Sequence, residues 1–401
     1  MKVTYVLFGI LVALGALLYA GSRIFPGIVP LVMPAPELSQ TNPLPFILPK
    51  GFTAHLYTKD TPDARVLTRD PRGVLVVSMP SEGKVVALPD TDQNGVADKV
   101  IPILENLNSP HGIVFRCGPL GEITDGSNDC YLFVAETDAV NVYHYDERSS
   151  SAVFSKQLIA LPHDGGHSTR SLLLHPDGKR ILVAVGSSCN VCHEKTDMRA
   201  AVLAVDMKTG SSTVFAKGLR NTVFMTLNPV DGKIWGTDMG RDLLGDDAPP
   251  DEVNILAEGG NYGWPICYGK NNHDTEFDKN VYIRNPCMEP FETESHIDLQ
   301  AHSAPLGVAF IPEEGWPEEY RLGAFVAFHG SWNRSVPTGY KIVRIPMTEG
   351  TPGAIEDFMT GFLNTNGTVV GRPAGLLAEP GGVLYVSDDR AGAIYKIQYT
   401  P

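Results

Sequence analysis

The chain has 401 residues, 43 % of them hydrophobic and 19 % charged, a globular composition that excludes a disordered or fibrous chain and is long enough to bury a core without covalent staples. Its 32 Lys and Arg face 46 Asp and Glu, a net charge of −14, which excludes a phosphate-backbone partner because nucleic acid needs a basic surface. With 40 Gly and 31 Pro, the chain is rich in turns, so many short strands are expected rather than long helices.

At the start, Lys2 precedes an uncharged run from Tyr5 to Gly21. Its length suits a short membrane span or a long signal-peptide core. Leu18-Tyr19-Ala20 is a passable cleavage site, and the first cysteine, Cys117, comes far too late to accept a lipid. Residues 1–23 are therefore expected to be a signal peptide or a membrane anchor. Either places the remainder outside the cytoplasm, periplasmic or extracellular, with the membrane touched only through this segment. Residues 24–47, from Pro26 to Pro45, read as a Pro-rich extended linker. The folded domain is expected over 48–401.

From there one phrase recurs: a short apolar strand, a Pro/Asp/Gly turn, and a second apolar strand. It appears as VLTRDPRGVLVVSM (66–79), HGIVF with YLFVAET (111–137) and SLLLHPDGKRILVAVG (171–186). It returns as FMTLNPVDGKIWGTD (224–238), LGVAFIPEEGWP with GAFVAFHG (306–330) and GLLAEPGGVLYVSDD (375–389). Third strands follow several of these, as in KVVALPD (84–90) and AIYKIQY (393–399). Each unit reads as a small antiparallel sheet that cannot bury both faces alone, so the units must stack around an axis. The expected fold is all-β, a six-bladed β-propeller behind the N-terminal hydrophobic segment.

Between the first two units lies DTDQNGVAD, with Asp90, Asp92, Asn94 and Asp98. Alternate oxygens around Gly95 resemble the start of a calcium loop, but Ile101 stands where a bidentate Glu is needed, so a calcium loop and a plain Asx-rich turn both remain open. The six cysteines fall into three local pairs, Cys117 with Cys130, Cys189 with Cys192, and Cys267 with Cys287, as suits an exported chain. Cys189 to His193 also spells C-x-x-C-H, so redox, metal or haem attachment are alternatives to a loop-tightening disulfide.

The loops beside the strands collect polar residues: His167 and Arg170, then Arg220 and Asn221, then Asp238, Gly240, Arg241, Asp246 and Asp247, then His329, Trp332, Asn333 and Arg334, and last Arg372. Loops at a propeller's axial mouth are where ligands sit. Five arginines there, in an acidic protein, suit a ligand bearing several carboxylates, since guanidinium grips carboxylate bidentately.

On the phrases GGHSTRSLLLHPDGK, GLRNTVFMTLNP, DEVNIL followed by GGNYGWP, FHGSWNR and GRPAGLLAEPGGVLYVSDD, the chain from about residue 45 to 400 resembles the quinoprotein glucose/sorbosone dehydrogenase family. The HGSWNR variant is closer to its sorbosone and fungal pyranose dehydrogenase branch. The resemblance implies a six-bladed propeller that binds pyrroloquinoline quinone (PQQ) and calcium and oxidises an aldose or aldosone. A downstream electron acceptor, a cytochrome or a quinone, is implied as well. It assigns His167 as general base, and Arg220 and Asn221 as the pair against the cofactor. It puts Gly240 and Arg241 where two backbone carbonyls hold calcium, and Arg334 and Arg372 on the PQQ carboxylates. Lys341 is a further cofactor candidate, although KIVRI reads equally well as a blade strand.

The chain departs from that pattern at Gly166 and Ser187, where soluble glucose dehydrogenases carry aspartates before and behind the base. A serine can hold a histidine tautomer but does not stabilise imidazolium as a carboxylate does. Two other functions fit a propeller: a non-catalytic binding module, and a calcium-dependent lactonase. The lactonase needs an axial metal on Glu, Asn and Asp side chains, where this chain offers arginines.

Overall fold

A computed structural model describes residues 44–120 and 129–401 of the chain. The expected signal or anchor segment and most of the Pro-rich linker lie outside the described residues. Among the described residues, no helix is long and apolar enough to cross a membrane.

The chain forms a six-bladed β-propeller. Six sheets of four or five strands follow one another along the sequence, antiparallel except for the short parallel strand Gly260–Asn261 at the edge of blade 3. Their innermost strands are Leu67–Arg69, Ile113–Cys117, Arg170–Leu174, Thr222–Leu227, Pro305–Phe310 and Pro373–Glu379 in blades 1 to 6. Each begins one of the repeated sequence phrases, and the turn within the phrase joins it to the second strand. Alternation of side chains puts one half of each strand into each inter-blade layer. Trp235 of blade 4, for example, packs edge-on against Phe310 of blade 5 with ring centroids 4.9 Å apart.

Adjacent blades approach so closely at the axis that side chains do not fit everywhere. A Cβ on Gly112 would lie 2.7 Å from the Arg170 carbonyl oxygen of blade 3, and one on Gly375 would lie 2.1 Å from the Arg65 carbonyl oxygen before blade 1. The inner strands surround an apolar cavity of about 430 Å³, whose lining includes Leu67, Ile113, Leu172, Met225, Val308 and Leu376. No titratable side chain lines it, so the chemistry must sit at an end of this channel rather than along it.

The ring is closed by the two ends of the domain. Phe52–Thr58 is the outermost strand of blade 6, paired antiparallel with Ala393–Tyr399 so that Phe52 faces Tyr399. Phe52 is buried among Trp316, Tyr320, Phe358 and Tyr399, at ring distances of 5.0 to 6.0 Å. Packing begins even before this strand. Leu44, Phe46 and Leu48 lie against the same core, and Ile47 bridges to Thr360, so residues 44–47, expected in the linker, are held by the propeller.

All three local cysteine pairs are disulfides: Cys117–Cys130, Cys189–Cys192 and Cys267–Cys287. The cysteines of the C-x-x-C-H segment are therefore not available for haem attachment or metal binding in this state.

Truncating Phe52 to Ala should remove about 3–5 kcal/mol of stability, the usual cost of emptying a buried aromatic site. A urea titration followed by tryptophan fluorescence measures it. An unchanged midpoint would mean that the closing strand adds nothing to the ring.

Candidate active site

In every blade the first strand starts, and the second ends, on one face of the ring. The pairing shows it: Arg170 lies opposite Val185, Thr222 opposite Asp238 and Pro373 opposite Asp388. Residues just before first strands and just after second strands therefore meet on that face. His167, Arg220, Asn221, Gly240, Arg241, Arg334 and Arg372 all lie in such segments.

His167 is half-buried, with its backbone N–H on the Ser187 carbonyl at 3.0 Å. Its Nδ1 lies 3.1 Å from the same carbonyl and 3.1 Å from the Ser187 hydroxyl. A carbonyl only accepts, so Nδ1 must carry the proton, and Nε2 is left with a lone pair and no protein partner among the described residues. Burial, and then the Arg220 charge, push the His167 pKa down to about 4. The ring is thus neutral at neutral pH and able to take a proton at Nε2.

Arg220 and Asn221 are positioned by Asp238, the last residue of the second strand of blade 4. Its carboxylate accepts the Arg220 N–H at 3.0 Å, the Asn221 N–H at 2.9 Å and the Thr222 hydroxyl at 3.0 Å. The Arg220 backbone carbonyl accepts the Ser187 N–H at 2.8 Å, which ties this loop to the one holding His167. Asn221 Oδ1 is buried without a hydrogen-bond partner. A Cβ on Gly186 would stand 2.5 Å from that oxygen and 2.7 Å from the His167 Cβ, so the glycine keeps His167 and Asn221 close together.

Blade 6 repeats the device. Asp388, in the place of Asp238, accepts the N–H groups of Arg372 and Ala391, each at 2.9 Å. The Arg372 guanidinium then donates to the carbonyls of His329 at 3.1 Å and Gly330 at 2.8 Å, over the Tyr340 ring. No carboxylate among the described residues pairs with it directly, although it is half-buried. Beside it, His329 Nε2 donates to Asp389 Oδ2 at 2.7 Å, and Arg65 Nη2 lies 2.8 Å from the same oxygen. Burial alone would raise the Asp389 carboxyl, but His329 and Arg65 outweigh it and hold it below the usual carboxylate range. Burial pushes His329 down to about 4 despite Asp389.

The remaining expected residues divide. The Gly240 N–H is fixed by Asp251 at 2.9 Å, and a Cβ there would come within 2.8 Å of Pro249 Cγ and of the Pro250 carbonyl. Only glycine fits this backbone cradle. The Arg241 side chain turns away to Asp274 at 2.6 Å. Arg334 crosses from blade 5 to the blade 4 loop, donating to the Asp246 carbonyl at 2.5 Å and to Asp247 at 2.7 Å. Arg170 is not an open cation: its guanidinium holds the carbonyls of Pro162, His167 and Thr169 at 2.7 to 2.8 Å. The five arginines are thus not one uniform cationic ring. Lys341 opens the third strand of blade 5 on the same face, opposite Phe328, and its ammonium lies 2.6 Å from Asp357 on the outer strand. The loop with Asp90, Asp92, Asn94 and Asp98 follows the third strand of blade 1 and lies on the opposite face. There Asp90 accepts the Gly95 N–H at 3.0 Å, Asp98 the Thr91 N–H at 2.9 Å, and Asp92 the Asn94 side chain at 2.8 Å.

Sequence reasoning missed Arg65, Asp388 and Asp389, and did not single out Asn190 and Asp242, which hold the Arg220 guanidinium. One signal was available: IWGTD and VLYVSD end corresponding strands with the same residue. Arg65 carries no such mark, because it precedes the first repeat.

A profile of the family described as TrAA12-like matches residues 46–400. An uncharacterized protein of Borreliella burgdorferi is 29% identical over 367 residues, which cover 88% of this chain and 90% of its own. A pyrroloquinoline quinone-dependent sugar dehydrogenase of Hypocrea jecorina is 24% identical over 312 residues, 67% of this chain and 71% of its own. Among solved structures, a Trichoderma reesei protein of carbohydrate-active enzyme family AA12 superposes with a TM-score of 0.74 at 22% identity, covering 91% of this chain and 100% of that one. The holo PQQ domain of a Coprinopsis cinerea pyranose dehydrogenase superposes with a TM-score of 0.72 at 21% identity, covering 91% and 100%. These superpositions establish a shared fold.

In the cofactor-free chain His167 should titrate near pH 4, not near the roughly 6.5 of an open histidine. Its ring resonances, assigned by comparison with His167→Gln, measure this directly. The sign for stability follows: the unfolded chain protonates this ring first, so its contribution is lost as pH falls from about 6.5 toward 4. A midpoint above 6 would mean that the ring is hydrated rather than buried.

Proposed function

From the premise that the chain belongs to the TrAA12-like family, whose relatives include PQQ-dependent sugar dehydrogenases, we propose that it is an exported PQQ- and calcium-dependent oxidoreductase that oxidises an aldose or aldosone with His167 as base. The observation that carries this reading is the pairing, on one face, of a neutral His167 with a free Nε2 and a half-buried Arg372, whose guanidinium donates to the His329 and Gly330 carbonyls over the Tyr340 ring. Arg372 keeps donor capacity for an anionic ligand, because Asp389 acts on it only through space and does not bond to it.

The residues present fit the cofactor. Arg372 and Arg220 would hold its carboxylates and quinone oxygen, and the orphaned Asn221 Oδ1 leaves room for a donor. Gly240 and Arg241 would offer backbone carbonyls to calcium from the cradle that excludes a Cβ at Gly240. When bound, PQQ accepts two electrons from the sugar carbon as hydride. The chain's own part is the proton. His167 Nε2 takes it from the C1 hydroxyl, while the Ser187 carbonyl keeps Nδ1–H in place. Ser187 supplies no negative charge, so the imidazolium must return its proton to solvent or product without a carboxylate beneath it. The loop with Asp90, Asp92, Asn94 and Asp98 remains a separate candidate for structural calcium, remote from this chemistry.

One observation favours a second base. His329 has the buried carboxylate that His167 lacks, with Asp389 at 2.7 Å from Nε2. Its Nδ1 carries no protein partner among the described residues. Three disulfides support an oxidising compartment for the folded chain.

His167→Ala should cut sugar turnover by about 10²- to 10⁴-fold, the usual worth of a general base, with PQQ affinity near wild type. Arg372→Ala should do the reverse, weakening PQQ and sparing the turnover of what remains loaded. PQQ titrations and saturated-cofactor turnover, with and without calcium chelation, separate the roles. Wild-type turnover in His167→Ala together with its loss in His329→Ala would move the base to blade 5. No PQQ binding by the wild-type chain would favour a binding module instead.

A further inference from the structure

Arg220 is held by a loop that no catalytic assignment names. Its Nε donates to the Asn190 backbone carbonyl at 2.9 Å, and its Nη2 donates both to Asn190 Oδ1 at 2.9 Å and to Asp242 Oδ2 at 2.9 Å. The same Asn190 Oδ1 accepts the Asp242 N–H at 2.7 Å, and Asn190 Nδ2 donates to the Asp242 carbonyl at 3.0 Å. One asparagine therefore clips the loop of blade 3 to that of blade 4 and grips the guanidinium between them. Only Nη1 is left loosely engaged, 3.4 Å from the Met239 carbonyl.

Asn190 does not hold this position alone. It lies inside the small ring closed by the Cys189–Cys192 disulfide. The Ser187 hydroxyl donates to the Cys189 carbonyl at 2.6 Å, and Ser188 donates to Glu194 through its N–H and its hydroxyl, each at 2.7 Å. Ser187 is also the residue on which His167 Nδ1 rests. The bridged loop thus reaches both groups expected to do the chemistry. Its sulfurs belong to half-buried residues, whereas Cys130, Cys267 and Cys287 are buried.

We propose that Asn190 is the positioning residue of Arg220, and that the Cys189–Cys192 bridge, by fixing Asn190, makes the setting of Arg220 depend on redox state. The role of Arg220 toward PQQ rests on the function proposed above; the positioning itself does not. Reduction is an ordinary exchange with a dithiol. One thiolate attacks a bridge sulfur, and the S–S bond breaks to a mixed disulfide. The second thiolate of the reagent then releases the other cysteine. Two electrons and two protons pass to the protein, leaving two thiols and a cyclic disulfide of the reagent. The loop then has no covalent closure, and Asn190 can leave the guanidinium.

Two readouts test this on the full chain. The first needs no cofactor: with ¹⁵N-labelled arginine, the Arg220 Nη2–H, which donates to Asn190 Oδ1 and Asp242 Oδ2, should exchange slowly in the wild type. It should lose that protection in Asn190→Ala and in the double variant Cys189→Ser with Cys192→Ser. The second is PQQ titration. Each variant, and wild type treated with dithiothreitol, should bind PQQ about 10- to 100-fold more weakly, the scale of losing hydrogen bonds to a charged group. Asn190→Asp, which keeps an acceptor for Nη2, should recover most of the Nη2–H protection, a rescue that loosened packing would not show. An unchanged Arg220 signal in Asn190→Ala, in a chain that melts like wild type, overturns the proposal. If wild type fails to bind PQQ at all, the functional reading falls while the first readout still decides the positioning.

Discussion

A twisted four-stranded sheet has two apolar faces and no way to cover both. That constraint organises the molecule: each blade needs two neighbours, so the stack is satisfied only when it closes. Closure then dictates the rest. It forces backbone against backbone at the axis, where Gly112 and Gly375 leave no room for a Cβ. It also brings the starts of six strands to one rim, where loops far apart in sequence touch. The cavity among the inner strands has no titratable side chain in its lining, and the candidate chemistry gathers at that rim.

At the rim, two carboxylates do the local ordering. Asp238 and Asp388 end corresponding strands of blades 4 and 6 and take the amides of Arg220 and Arg372. A carboxylate that accepts backbone N–H groups fixes φ and ψ rather than the side chain. Each arginine therefore leaves its strand at a set angle, with its guanidinium free to be trimmed by other loops. Several non-glycine residues on this rim hold left-handed backbone, among them Ala200, Leu243, His302, Ala304 and Tyr340. Such strain persists only where surrounding contacts over-determine it.

Most of the fold was legible because each blade writes its inner two strands as a contiguous phrase with its own turn. The irregular spacing of those phrases comes from insertions such as 257–296, which leave the sheet and return to add one short outer strand, Ile297–Leu299. His167, Arg220 and Arg372 were legible from their positions just ahead of inner strands. What was not legible depends on contacts between blades. Arg65 meets Asp389 only because blade 6 folds back on blade 1, and His329 finds the same carboxylate from blade 5. Nothing in the local sequence of any one of these marks it for the others. Arg170 and Arg334 share the rim positions, and there nearby carbonyls and Asp247 engage their donors.

The closing strand carries a consequence for how the molecule comes into being. Thr53 and its partner Gln398 are 345 positions apart. At about 5–20 residues per second of synthesis, the first strand waits on the order of tens of seconds for the last. Through that interval five blades can assemble in order, but the sixth has only its outer strand, Phe52–Thr58, without the three inner ones, and the first lacks a covered face. The ring therefore closes only once Ala393–Tyr399 has been made, and a chain cut before that strand leaves Phe52–Thr58 without its partner.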